Sequence, residues 1–155
     1  MPLELLPWQQ LGLAFLLGSF TVATLSDMKY LSAQREFLEV WLAFLAVFFL
    51  IDLVSLMRGP PVWPGFVLRW GLLAGLCLVS WRGVGWLFRL APGDVAALAA
   101  AACLLPVVYI LIYFALARLF ATLLRPLLAG DRRVWPFMPV VTLATLVLAV
   151  LGRLL

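Results

Sequence analysis

Ionisable side chains are scarce in this sequence, and the few it keeps define what chemistry it could do. Seven are acidic: Glu4, Asp27, Glu36, Glu39, Asp52, Asp94 and Asp131. There is no histidine. That removes Ser-His nucleophiles, HExxH zinc sites and haem held by histidine. The two cysteines, Cys77 and Cys103, lie far apart with no CxxC spacing, and they read as small core residues. Carboxylates are what remains. Two of them brought together can share one proton. The ionised one then acts as general base on a water, while the protonated one donates to a substrate carbonyl. This arrangement calls for no cofactor and no metal.

The setting makes any such carboxylate conspicuous. Of the 155 residues, 66% are apolar and 12% are charged, with a mean hydropathy of +1.17. A soluble domain averages about 45–50% apolar and about 25% charged. The chain therefore reads as an all-α, polytopic membrane helix bundle in a lipid bilayer. An ionisable group at the centre of a membrane helix costs at least about 2.5–3.5 kcal/mol, and is a functional candidate by default.

The elements that must position these groups are set by span length. A helix needs about 20 residues to cross the roughly 30 Å hydrocarbon core. Six spans are expected in one membrane domain, at about 7–25, 38–57, 66–81, 94–106, 107–125 and 137–151. The first has no basic region before it and no small-residue cleavage site after it, so it reads as a retained span. RGPPVWPG, with three prolines and two glycines, cannot continue a helix. WRGVGWLFRLAPGD is aromatic and basic, suited to the membrane interface. The apolar stretch from Asp94 to Leu128 would make a helix of about 52 Å. That is too long for one upright crossing, and Pro106 is where it is expected to break.

Charge orients the bundle. With six spans, one side holds Lys29, Arg35, Arg82, Arg89, Arg118, Arg125, Arg132 and Arg133, and the other holds Arg58, Arg69 and Arg153. Cytoplasmic loops are enriched in Lys and Arg. Eight against three predicts a plasma-membrane protein with both termini outside. The basic residues are scattered over short loops, which argues against nucleic acid as a partner.

On this topology Asp27, after TVATLS, and Asp94, after APG, reach the same cytoplasmic side at similar depth. Position alone leaves two readings open. The pair can be catalytic, or Asp27 can be an interfacial end residue and Asp94 a helix N-cap after Pro-Gly.

Three segments, in order, resemble the type IV prepilin peptidase and preflagellin (prearchaellin) peptidase family of aspartic membrane proteases. ATLSDMKYLSAQREF looks like the family's first aspartate segment. LAPGDVAALAAAACLLP looks like its GxGD segment, and VWPFMPVVTLA like the start of its last helix. The resemblance implies six helices and a catalytic pair, Asp27 and Asp94, at the cytosolic face. Gly93 would be the glycine that lets substrate backbone approach closely. The substrates would be prepilin-like or preflagellin-like precursors, cut between a short basic leader and a hydrophobic helix. There are departures. Ala91 stands at the first glycine of GxGD, no lysine follows shortly after Asp94, and SAQREF replaces the usual isoleucine-proline-asparagine stretch. The cysteine-containing cytosolic insert of many bacterial members is missing, which points away from N-methyltransferase activity.

Asp52, in FFLIDLVSLM, lies near the opposite end of the second span and is expected to be far from the pair, in a packing or snorkelling role. Glu36 and Glu39 flank the second helix start. They suit the positive end of a helix, or recognition of a basic leader. Two other functions remain open: a non-catalytic scaffold or assembly factor in a pilus or secretion complex, and a small transporter that uses Asp27, Asp52 and Asp94 for ions. A transporter needs its acidic groups spread through the depth of the bundle.

Overall fold

The computed structural model describes residues 6–30, 35–58, 63–129 and 135–154. Six helices account for nearly all of them: α1 (Pro7–Tyr30), α2 (Arg35–Arg58), α3 (Trp63–Ser80), α4 (Pro92–Ala102), α5 (Val107–Ala129) and α6 (Met138–Leu154). Among the described residues there is no β-strand, only one isolated bridge between Trp81 and Leu90. The chain is an all-α bundle. Four helices, α1, α2, α3 and α5, are long and apolar enough to cross a membrane.

The boundaries follow local rules. Pro7 opens α1, where its missing N–H costs nothing. Gln9, two residues further on, accepts the Leu6 backbone N–H at 2.9 Å, as a capping-box side chain does. Helix α1 outruns the expected end at residue 25, so Asp27 sits inside the helix, about one turn before its end. The break near Pro106 is where it was expected. Helix α4 ends at Ala102, a turn covers Cys103–Leu105, and α5 starts at Val107.

The fourth segment, expected to be short, is the shortest of the six helices. Helix α4 has 11 residues, which is about 16 Å against a core of roughly 30 Å. It works instead as the buried axis of the bundle. Ala96 to Ala102 are all buried, and α4 touches each of the other five helices. Alanine makes this possible, because small side chains let neighbouring backbones come close. Helix α6, with 17 residues, is also on the short side.

Around this axis the contacts differ in kind. Helices α1 and α6 pack closely, and Thr24 and Thr142 share a 2.8 Å hydrogen bond between them. Helices α5 and α6 are joined by Tyr113 and Thr145, at 3.1 Å. Helices α1 and α2 are bridged by rings instead: Trp8 on Phe48, Phe15 on Phe44, and Phe20 edge-on to Trp41. The Trp41 indole also donates to Ser19 Oγ at 3.1 Å.

The segment between α3 and α4 is ordered by its own backbone. The Val79 carbonyl accepts from Trp86 and Leu87, Ser80 from Leu90, and Leu90 from Arg82. Gly85 takes φ +61°, a left-handed conformation glycine adopts without penalty. The segment thus turns back on the end of α3 and delivers Ala91 to the start of α4.

Candidate active site

Helix α4 begins with Ala91 as N-cap and Pro92 in the first turn, which places Asp94 at the third helical position. Asp94 is therefore not the N-cap, as one reading of the sequence had it. Its carboxylate instead has the Ala91 backbone amide as a hydrogen-bond partner. A first-turn acid reaching back to the cap residue satisfies a donor that the helix cannot.

Asp27 arrives from α1. It is 5% exposed, and its Oδ2 accepts the Met138 backbone N–H at 3.0 Å. The Phe137 amide is a second donor to the same carboxylate. Asp27 thus holds the start of α6, where free N–H groups and the helix dipole favour an acid. The two aspartates, one on α1 and one on α4, are close enough for their charges to interact. Ser26, next to Asp27, has a buried hydroxyl oxygen with no hydrogen-bond partner among the described residues.

Aromatic residues gather beside the start of α6. Phe88 and Phe137 are buried and meet edge to face at 5.5 Å, and Trp135 meets Phe137 at 5.6 Å. Arg118 of α5 lies over the Phe88 ring at 5.6 Å and donates to the Leu87 carbonyl at 2.6 Å. The end of α5's middle turn is thereby fastened to the α3–α4 segment. Gly93 is the second residue of α4 and half-buried. Glu36 and Glu39 do not join the pair. Both are exposed on the first turns of α2, and Glu39 is engaged by Arg35 at 3.0 Å. Glu4, Asp131, Arg132 and Arg133 lie outside the described residues. Among the described residues, no three Cys, Asp or Glu side chains gather as a metal site would need.

The other end of α4 carries a second polar cluster. Arg69 of α3 pairs with Asp52 of α2 at 2.6 Å and donates a second hydrogen bond to the Cys103 carbonyl. The Trp70 indole donates to the same Asp52 oxygen at 3.1 Å. Gln9 of α1 donates to the Leu104 carbonyl at 3.0 Å. Asp52 is thus a packing residue away from the aspartate pair, as expected. Arg69 is a correction. Counting it among loop charges missed that it points into the bundle, where it is only about one-fifth exposed. The signal was present: an arginine inside the apolar run FVLRWGLL must find a partner. Gln9 carried no such signal.

Compared with known proteins, the chain matches no family model, no curated protein and no solved structure. Function rests on the residues themselves.

Proposed function

We propose that this protein is a membrane-embedded aspartic endopeptidase. In this reading Asp27 and Asp94 remove basic leaders from prepilin-like or preflagellin-like precursors at the cytoplasmic face of the plasma membrane. One observation carries the proposal. Two carboxylates far apart in sequence come within electrostatic reach of each other in a chain with no histidine. The resemblance of the segments around Asp27, Asp94 and Phe137 to that peptidase family supplies the substrate class.

The roles follow from the number of donors. Asp27 accepts two backbone amides at the start of α6, and Asp94 one at the start of α4, so the anion suits Asp27 better. In this reading the shared proton is on Asp94. A water between the two gives its proton to Asp27 as its oxygen attacks the scissile carbonyl carbon. Asp94 donates its proton to the carbonyl oxygen. When the C–N bond breaks, the proton on Asp27 passes to the departing amine. The gem-diol hydroxyl returns a proton to Asp94 as the new carboxyl forms, and the pair is restored.

A second reading has its own observation. Both carboxylates already accept backbone amides at helix starts, which is what a non-catalytic scaffold would need them for. Asparagine separates the two. Its side-chain oxygen still accepts those amides, but it cannot exchange protons. The test is cleavage of a panel of prepilin-like precursors in membranes by the wild type, Asp27→Asn and Asp94→Asn. The endopeptidase reading expects cleavage by the wild type alone. A folded wild type that cleaves none of them would give the scaffold reading the better claim, and folded asparagine variants that still cleave would remove the aspartate pair as the catalytic groups.

A further inference from the structure

Nothing in the side chains of α4 fixes its position along its own axis. Its buried stretch, Ala96 to Ala102, is alanine except for Leu98. Alanines let neighbours approach closely, but they offer few knobs to interdigitate. Such a helix is held firmly sideways and weakly lengthwise. Its lengthwise position must come from its ends. The last carbonyls of a helix have no partner within it, and inside a membrane bundle no bulk water replaces one. Here the turn's own N–H groups take the carbonyls of Ala99, Ala101 and Ala102. The carbonyls of Cys103, the C-cap, and Leu104, in the turn, are left, and Arg69 and Gln9 supply their donors.

We infer that Arg69, held by Asp52, is a positioning residue that sets the placement of Asp94 against Asp27 from the far end of α4. Asp27 is fixed by α6, through the Met138 amide. Asp94 rides on α4, about 13 Å of helix away from Cys103. A helix is stiff along its axis, so a shift at Cys103 arrives at Asp94 almost undiminished. Arg69 suits the task because its guanidinium can bond Asp52 and the Cys103 carbonyl together. Asp52 neutralises the charge, and Trp70 orients the carboxylate. Gln9 reinforces the tie from α1. The separation of the aspartate pair is thus set at three places: the start of α6, the Ser80–Leu90 bond that ties the beginning of α4 to α3, and the outer end of α4.

The experiment uses the full chain in detergent micelles and in membranes. Arg69→Met alone leaves Asp52 unpaired and can misfold, so the decisive variant is Asp52→Leu/Arg69→Met, which removes the charges together. A neutral, well-packed replacement of an ion pair is often tolerated. Two readouts follow. The first is the amide resonance of Gly93, beside Asp94, in an NMR spectrum. The double variant is expected to move it, while Arg58→Gln and the core change Phe48→Leu leave it in place. The second is cleavage of a prepilin-like precursor, where kcat is expected to fall about 10- to 100-fold at unchanged KM. The kinetic half rests on the endopeptidase reading and the spectroscopic half does not. A moved Gly93 resonance in a protein whose wild type cleaves nothing would leave the brace standing and remove the protease. A Gly93 resonance that stays in place in the folded double variant overturns the inference, as does unchanged kcat.

Discussion

The two ends of α4 solve opposite electrostatic problems. At its start, two like charges, Asp27 and Asp94, are brought within reach of each other. At its end, two unlike charges, Asp52 and Arg69, sit 2.6 Å apart with Trp70 and the Cys103 carbonyl as further hydrogen-bond partners, while the buried Arg69 Nε has none among the described residues. The second cluster is what a bundle builds for stability, with charge answered by charge and the Cys103 and Leu104 carbonyls each given a donor. The first carries a cost that the second lacks. Two acids near each other repel when both are ionised, and their backbone hydrogen bonds offset only part of that cost. A costly arrangement beside a comfortable one, on the same short helix, is what the proposed endopeptidase would need at the start of α4.

The sharpest way to break this contrast is to remove proton exchange at the start of α4. Asp94→Asn is expected to abolish precursor cleavage, by about 10²–10⁴-fold as general acid–base groups do. Asp27→Asn should lose as much. The double variant should be little worse than either, because the two act as one device. A cleavage assay in membranes reads all three. Effects that simply multiply would show that the aspartates act independently, and the shared-proton mechanism would go.

At the other end the expected losses are in stability. Arg69→Met leaves the Asp52 carboxylate without its partner, at a cost of about 3–5 kcal/mol where burial is complete. The pair is about one-fifth exposed, so the loss should fall below that range. Asp52→Leu/Arg69→Met should recover most of it. Unfolding in mixed micelles with increasing SDS measures both. A double variant no more stable than Arg69→Met would mean that the hydrogen bond to Cys103, and not the charge, carries the energy.

How much of this was legible beforehand depended on what kind of information a residue carries. Helix breaks were legible, because prolines act through local backbone rules: Pro60 and Pro61 fall between α2 and α3, and Pro106 between α4 and α5. That Asp27 and Asp94 share one end of the bundle was legible from span counting, since one stands near the end of the first helix and the other near the start of the fourth. Depth and rotation were not. Hydropathy cannot say that α4 is an inner helix of 11 residues, since an alanine-rich crossing and an alanine-rich buried axis have the same composition. Nor could it pair Arg69 with Asp52, because each sits in its own span and their meeting depends on how α2 and α3 turn toward each other. Asp27 was expected at a helix end, but the sequence held no sign that the end it would hold belongs to α6.

The smallest expected effect tests how the outer end is tied to α1. Gln9 makes two hydrogen bonds with one side chain. Its Oε1 accepts the Leu6 N–H, capping α1, and its Nε2 donates to the Leu104 carbonyl, capping the turn after α4. Each bond is worth about 0.5–1.5 kcal/mol net. Gln9→Ala should therefore cost about 1–2 kcal/mol, less if water at this half-buried position replaces either partner. Gln9→Glu separates the two bonds. The carboxylate still accepts from Leu6, and it suits the positive end of α1, but it has no donor for Leu104. If the cap of α1 matters more, Gln9→Glu will be close to wild type in SDS unfolding and Gln9→Ala will not. If the tie to α4 matters more, the two variants will lose about the same. Gln9→Glu would then also move the Gly93 resonance, in the same direction as the loss of Arg69 but by less, because Arg69 still holds Cys103. The size of that shift relative to the Arg69 variant measures how the lengthwise hold on α4 is divided between α1 and α3.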